Sequence, residues 1–433
     1  MYNSVNNLKC VYLRQVILIL ISVIVVYPVL AQDVNYDESL VSPYTLPNPL
    51  IFENGKPVKT SGEWVKKRRP ELLRLFEDNM FGKSPGKVGK IRFNILSEDN
   101  SALNGTAIRR EVEVFFSGAE SPSMIILMYI PAKRKGPVPL YAGLNFGGNY
   151  TINADPGILF SDNAIAEKKE DELKRGSASS RWPVDLLIER GYALATIYCG
   201  DIDPDFDDGF ANGVHPLFYS KGQTRPLPEQ WGTIAAWAWG LSRAMDYFER
   251  DKDINSRQIA VIGHSRLGKA ALWAGATDKR FSLVVSNNSG CGGAAIFRRK
   301  IGETVSIINK SFPHWFCENF KQYNNNEAAL PVDQHELIAL MAPRPVYIAS
   351  AEEDLWADPK GEFLAGLHAG PVYRLFGLDG LPSDKMPEIN NMPEVNNPVS
   401  SGYIGYHIRT GKHDITLYDW EKFLDFSDRH FGK

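Results

Sequence analysis

Along the chain, short apolar runs alternate with stretches whose apolar positions recur at helical spacing. Helical pattern over residues 186–190 leads into an apolar run at 193–198, and residues 231–249 lead into 258–262. Further on, residues 334–341 lead into 345–350. Helices alternating with strands that are apolar on both faces predict a largely parallel sheet covered on each side. Upstream, strand-like runs fall at residues 90–96, 107–116, 124–130 and 138–144, three of them marked off by turn-rich segments. Residues 64–80 carry a helical pattern, after an irregular lead-in over 32–62. Three long polar insertions, 149–182, 200–229 and 377–402, interrupt the scheme. Each is read as following a strand and walling a cleft, because ligands in α/β folds bind at the carboxyl ends of strands.

The N-terminus has a pattern of its own. Lys9 and Arg14 precede an apolar run over 16–30, and the small residue Ala31 stands before Gln32. That reads as a signal peptide over residues 1–31, leaving 32–433 as a single catalytic domain in a secreted or periplasmic protein. The run is short of the about 20 residues that span a bilayer, and no later segment qualifies. An oxidising compartment permits one disulfide among Cys199, Cys291 and Cys317. Cys291 with Cys317 is the expected pair, with three buried thiols as the alternative. Composition changes little: at 44% hydrophobic residues the chain has ample core, and a formal charge of −3 gives no basis for nucleic-acid binding.

The candidate chemistry begins at Ile259-Ala-Val-Ile-Gly-His-Ser265-Arg-Leu-Gly-Lys269. A β-branched run reaches Gly263, turns at Ser265 and starts a helix at once. Such an elbow lifts a serine hydroxyl above the sheet and aims backbone N–H groups at it. Gly268 comes one residue late for Gly-x-Ser-x-Gly. With the layer pattern, the elbow predicts an α/β-hydrolase fold, a three-layer α/β/α sandwich with a mostly parallel central sheet. That fold requires an acid and then a histidine downstream of the serine. Acids follow the strand at 346–350, with Asp354 preferred on spacing over Glu353 and Asp358. Among His368, His407, His413 and His430, His413 lies in a loop before the last helix, where the base is expected; His407 falls within a strand and suits a structural role. An oxyanion requires preorganised donors: the Arg266 backbone N–H is one, and the Asn145-Phe-Gly-Gly-Asn149 turn is a candidate second. Two cations in the first helical turn, Arg266 and Lys269, run against the helix dipole and suggest an anionic or hydroxylated substrate.

Gly263-His-Ser-Arg-Leu-Gly-Lys269 resembles the serine signature of the glucuronoyl esterases, carbohydrate esterase family 15. The resemblance continues through Ser286-Asn-Asn-Ser-Gly-Cys-Gly-Gly293, Gly302-Glu-Thr-Val305, Phe312-Pro-His-Trp-Phe316, residues 330–337, Asp354-Leu-Trp-Ala-Asp-Pro359 and Gly411-Lys-His-Asp414. It covers most of the chain from about residue 60 and is closest to the bacterial branch. It implies hydrolysis of the ester between a lignin alcohol and the (4-O-methyl)-glucuronic acid of glucuronoxylan, with no metal or other cofactor. It also implies that the Arg266 side chain assists the oxyanion hole and that Lys269, Glu303 and Trp356 bind the sugar. Two departures stand out. Many members carry a triad glutamate about two dozen residues after the serine, where this chain has Asn288. Fungal members bridge two cysteines beside the serine and histidine, where this chain has His264 and Asp414. The other readings are an esterase for acetyl, feruloyl or methyl glucuronate esters, or a catalytically inactive glycan-binding protein.

Overall fold

Nine strands form one sheet in the order β1-β2-β3-β5-β4-β6-β7-β8-β9 in the computed structural model of the chain. Described residues are 34–433 except 87, 88, 90, 118–121, 167–173 and 382–391. The strands are β1 (Arg92–Ser101), β2 (Ala107–Phe115), β3 (Ser123–Pro131), β4 (Val138–Asn145), β5 (Ala193–Tyr198), β6 (Ile254–His264), β7 (Leu283–Asn287), β8 (Val346–Ala351) and β9 (Ile404–Arg409). β1, β2 and β3 pair antiparallel, and β3 meets β5 antiparallel. From β5 through β4 to β9 every pairing is parallel. This is the mostly parallel sheet expected of an α/β-hydrolase. The signal peptide read over residues 1–31 lies outside the described residues, and Asn35–Lys433 packs as one compact unit.

The parallel strands are predominantly apolar because both faces are covered. All residues of β4, β5, β7, β8 and β9 are buried. Burying a Val, Ile or Leu side chain contributes roughly 1.5–3 kcal/mol relative to leaving it exposed. The covering helices include Thr233–Phe248, Arg266–Thr277, Pro359–Arg374 and Leu417–Phe431. The segment read as one helix over 64–80 is helical from Ser61 to Phe81, with π-helical turns at Trp64–Arg68 and Glu77–Phe81. Its buried Arg69 donates to Leu340 O at 3.0 Å and Ala276 O at 2.6 Å, tying it to the ends of two other helices. His407 is structural: its Nε2 lies 2.8 Å from Asp419 inside the core. Among the described residues no helix is long and apolar enough to cross a membrane.

Two expectations are corrected. The 377–402 insertion does not follow a strand; it runs from helix Pro359–Arg374 into the start of β9. Its last part runs back along β9, with Val399 bridged antiparallel to Tyr406 and Asn396 N donating to Ile408 O at 2.8 Å. Cys291 and Cys317 are not joined; both are free, buried thiols, and Cys199 is buried as well. Each packs as a small apolar side chain in the core.

Candidate active site

The carboxyl ends of the parallel strands deliver the site. Ser265 follows β6 directly and has φ 58° and ψ −130°, a conformation costing a non-glycine residue of order 1–3 kcal/mol. Its N–H is held by Asn287 O of β7 at 2.9 Å. The turn is tight enough that a Cβ on Gly263 would stand 2.0 Å from Leu267 O. Gly268 explains the displaced second glycine: a Cβ there would stand 3.0 Å from both Gly263 O and the Ser289 Cβ. The start of helix Arg266–Thr277 against β6 thus requires glycine at 263, and at 268 leaves a larger residue tightly placed against the turn after β7.

His413, in the loop after β9, stands with Nδ1 2.6 Å from Asp354 Oδ2, in the loop after β8. The Asn288 amide donates to the same carboxylate oxygen at 2.9 Å. Burial alone would raise the Asp354 pKa; the hydrogen bond and charge of His413, with the Asn288 amide, outweigh it and hold the carboxyl below its ordinary value. The other two acids are disposed otherwise. Asp358 accepts from Arg299 Nε at 2.8 Å and from Gly361 N at 2.9 Å, and Glu353 is exposed. Ser265, His413 and Arg266 line one cleft of about 370 Å³, together with Phe146, Arg181, Asp205, Phe206 and His264. Insertions 149–182 and 200–229 supply three of these walls.

His264 packs against His413. Its ring centroid is 4.6 Å from that of His413, and its Nδ1 lies 2.6 Å from Asn287 Oδ1. Burial, and then the neighbouring His413, push its pKa down to about 3, so the ring stays uncharged at neutral pH. Beside it Arg181 pairs with Asp414 at 2.6 Å, bracing the loop that carries His413.

The cations are anchored rather than free in solvent. The Arg266 guanidinium pairs with Asp205 and lies 5.1 Å from the Trp315 ring centroid. Asp205 also accepts from Trp315 Nε1 at 2.8 Å. Burial would raise the Asp205 pKa, but the His314 hydrogen bond and the Arg266 charge bring it below its ordinary value. The buried Arg266 Nε has no hydrogen-bond partner among the described residues. Lys269 is buried, donating to Ser289 O at 2.6 Å with its Nζ 3.9 Å from Glu303 Oε2. Burial pushes its ammonium below the ordinary value and the Glu303 carboxyl above it. Glu303 N bonds Trp356 O at 3.0 Å, and the Trp356 side chain is exposed. Ser265, His413, Asp354 and Arg266 thus gather at one cleft, while Lys269, Glu303 and Trp356 make a linked group beside it. Asp205 and the donor role of Asn288 were missed in sequence: Asp205 sits in a long insertion with no spacing signal. Among the described residues no group of three or more His, Cys, Asp or Glu side chains could hold a metal ion.

Comparison with known proteins bears on the family and the fold. A family model described as glucuronyl esterase, fungi, matches residues 223–377. A carbohydrate esterase of an unknown prokaryotic organism is 51% identical over 405 residues, covering 92% of this chain and 92% of the relative. The chain belongs to carbohydrate esterase family 15. Among solved CE15 structures, a promiscuous esterase from the marine bacterial metagenome superposes with a TM-score of 0.84 at 51% identity, over 92% of this chain and all of the other. The glucuronoyl esterase from Solibacter usitatus gives 0.86 at 47% identity, over 91% of this chain and all of the other. More distantly, 4-O-methyl-glucuronoyl methylesterase 1 of Wolfiporia cocos is 28% identical over 352 residues, 77% of this chain and 72% of the relative. As a CE15 member the chain is a carboxylic ester hydrolase with the α/β-hydrolase fold.

Proposed function

We propose that this CE15 enzyme hydrolyses esters between (4-O-methyl)-glucuronic acid of glucuronoxylan and lignin alcohols, by serine acyl transfer. The observation that carries the reading is the 2.6 Å His413–Asp354 contact beside a serine held at a left-handed elbow in the same cleft. His413 takes the Ser265 proton as the hydroxyl attacks the uronate carbonyl, and Asp354 holds the imidazole in the useful tautomer. The Arg266 backbone N–H and its unpartnered Nε are the donors proposed for the oxyanion. His413 then returns the proton to the departing alcohol. Water, activated by the same histidine, breaks the acyl-serine bond and releases glucuronate. Lys269, Glu303 and Trp356 are proposed to hold the sugar, the exposed indole offering an apolar face and the buried pair offering hydrogen bonds.

The signal pattern at residues 1–31 supports export, so the polymer would be met outside the cytoplasm. A second reading, a broader carboxylic ester range, is favoured by one observation: the 51%-identical solved relative is described as promiscuous. Turnover of methyl 4-O-methylglucuronate by the wild type and its Ser265→Ala variant tests the proposal. Serine-dependent release of methanol supports it; equal rates in both proteins would refute it.

A further inference from the structure

The irregular lead-in before the first long helical segment is tied down along its length. Asn35 O accepts from Gly302 N at 2.9 Å, and the next amide, Glu303 N, donates to Trp356 O at 3.0 Å. One hydrogen bond thus joins the lead-in to the Glu303 loop, and the next joins that loop to the Trp356 turn. Gly302 permits the close approach: its φ is +62°, and a Cβ there would stand 2.3 Å from Trp356 O and 2.6 Å from Leu355 O. Further along, Pro47 O accepts from His335 Nε2 at 2.7 Å and Pro49 O from the buried Arg68 Nε at 3.1 Å. Residues 35–50 therefore form a strap held against the catalytic domain.

A second tie runs through charge. Arg299, just before the Glu303 loop, is buried, and a guanidinium taken out of water needs partners. Its Nε donates to Asp358 Oδ2 at 2.8 Å and its Nη2 to Asp358 Oδ1 at 3.1 Å. The same Nη2 pairs with Glu38 of the strap, whose other oxygen lies 2.9 Å from Lys360 Nζ. Burial would raise the Glu38 pKa, but Lys360 and Arg299 hold the carboxyl below its ordinary value. Asp358 closes the Trp356 turn and caps the helix Pro359–Arg374, accepting from Gly361 N at 2.9 Å. The contacts make a closed circuit: Glu38 to Arg299, Arg299 to Asp358, the Trp356 turn to Glu303, and the Glu303 loop back to Asn35. Glu38 and Arg299 have no part in the acyl-transfer steps above.

We propose that the strap, through Glu38, positions Glu303 and Trp356 and so sets how tightly the acid end of the ester is held. Glu38 and Arg299 are positioning residues in this scheme. The proposal rests on the reading of Glu303 and Trp356 as the groups that hold the sugar. Loosening the strap should spare the acyl-transfer groups, which have ties of their own. Ser265 N is held by Asn287 O, and Asp354, although it precedes Trp356 in the chain, is held by His413 and the Asn288 amide. The effect is therefore expected in KM rather than kcat.

The test measures kcat and KM for methyl glucuronate in the wild type, Glu38→Ala and Glu38→Asp, with hydrogen exchange at the Gly302 and Glu303 amides followed in the same proteins. Glu38→Ala should raise KM about fivefold, the loss expected of a partly exposed ion pair, and leave kcat within about twofold. The two amides should exchange faster, because each bonds across the circuit. Glu38→Asp keeps the charge and should restore most of both losses. Unchanged exchange in Glu38→Ala overturns the strap as a brace, and faster exchange with unchanged KM overturns its role in holding the sugar. If the wild type does not turn over methyl glucuronate, it is the uronate reading that fails. Faster exchange in Glu38→Ala then still supports the strap as the brace of Glu303 and Trp356, and unchanged exchange overturns it.

Discussion

Asp354 Oδ2 receives two donors at once, His413 Nδ1 at 2.6 Å and Asn288 Nδ2 at 2.9 Å. The loop after β8 thus carries the carboxylate proposed as the triad acid, and the place where the resemblance to CE15 implies a triad glutamate in many members instead holds an amide bonded to it. Replacing Asp354 with Asn leaves the geometry but offers His413 the wrong partner. Asp354→Asn should lower kcat by roughly 10³–10⁴-fold with little change in KM. Near-normal turnover would move the acid role elsewhere.

Asn288 is predicted to act through Asp354 rather than on substrate. A hydrogen bond to a charged group contributes about 1.5–3 kcal/mol, so Asn288→Ala should reduce kcat roughly 10–100-fold and leave KM nearly unchanged. The acid limb of the pH–kcat profile should also move up, because Asp354 loses a donor that stabilises its ionised form. An unshifted acid limb would reduce Asn288 to a packing residue.

Arg266 is tested by charge-preserving replacement. Arg266→Lys keeps one positive charge but loses the Nε donor and the flat guanidinium that lies against Trp315. If Nε serves the oxyanion, kcat should fall about 10²–10³-fold. Asp205→Asn, which releases the guanidinium without removing it, should cost less. Equal losses would assign Arg266 to structure alone.

What could be read in the chain was local or ordered along it. Ser265 was legible because strand, elbow and helix lie within eleven residues, and His413 because the hydrolase fold fixes the order of acid and base. The partnership of Asn288 with Asp354 was not, since it exists only once β7 and β8 lie side by side, with Asn287 opposite Ala349. β7 itself, five residues long, carried too short an apolar run to stand out. The 377–402 insertion was misjudged because it was taken to follow a strand like the other two, whereas the helix Pro359–Arg374 precedes it. Cys291 and Cys317 show the same limit: compartment and their nearness in the chain suggested a bridge, but both are buried in the core as free thiols.

Glu362 gives a prediction about stability. It is fully buried and accepts from Ser289 N at 2.8 Å, Gly290 N at 3.0 Å and Ser350 Oγ at 2.6 Å, holding the turn that presents Asn288. Burial, against the Ser350 hydrogen bond, pushes its pKa up to about 8. The folded state therefore binds this proton more tightly than the unfolded chain, so the group's contribution falls as pH rises from about 4.5 to about 8 and levels off above. Glu362→Gln keeps the shape and removes the titration. Its Tm should decline less steeply between pH 5 and 8 than the wild type's; identical slopes would show that Glu362 is ionised in the folded protein throughout.

The most direct test of the central claim is the hydrolysis of benzyl glucuronate beside benzyl acetate, with Ser265→Ala as the control. The two esters share an alcohol and differ only in the acyl group, so the comparison isolates recognition of the uronate. Serine-dependent turnover of the glucuronate with the acetate far slower is the predicted result. Equal or faster turnover of the acetate would contradict uronate recognition while leaving a serine esterase, and turnover undiminished in Ser265→Ala would contradict the mechanism itself.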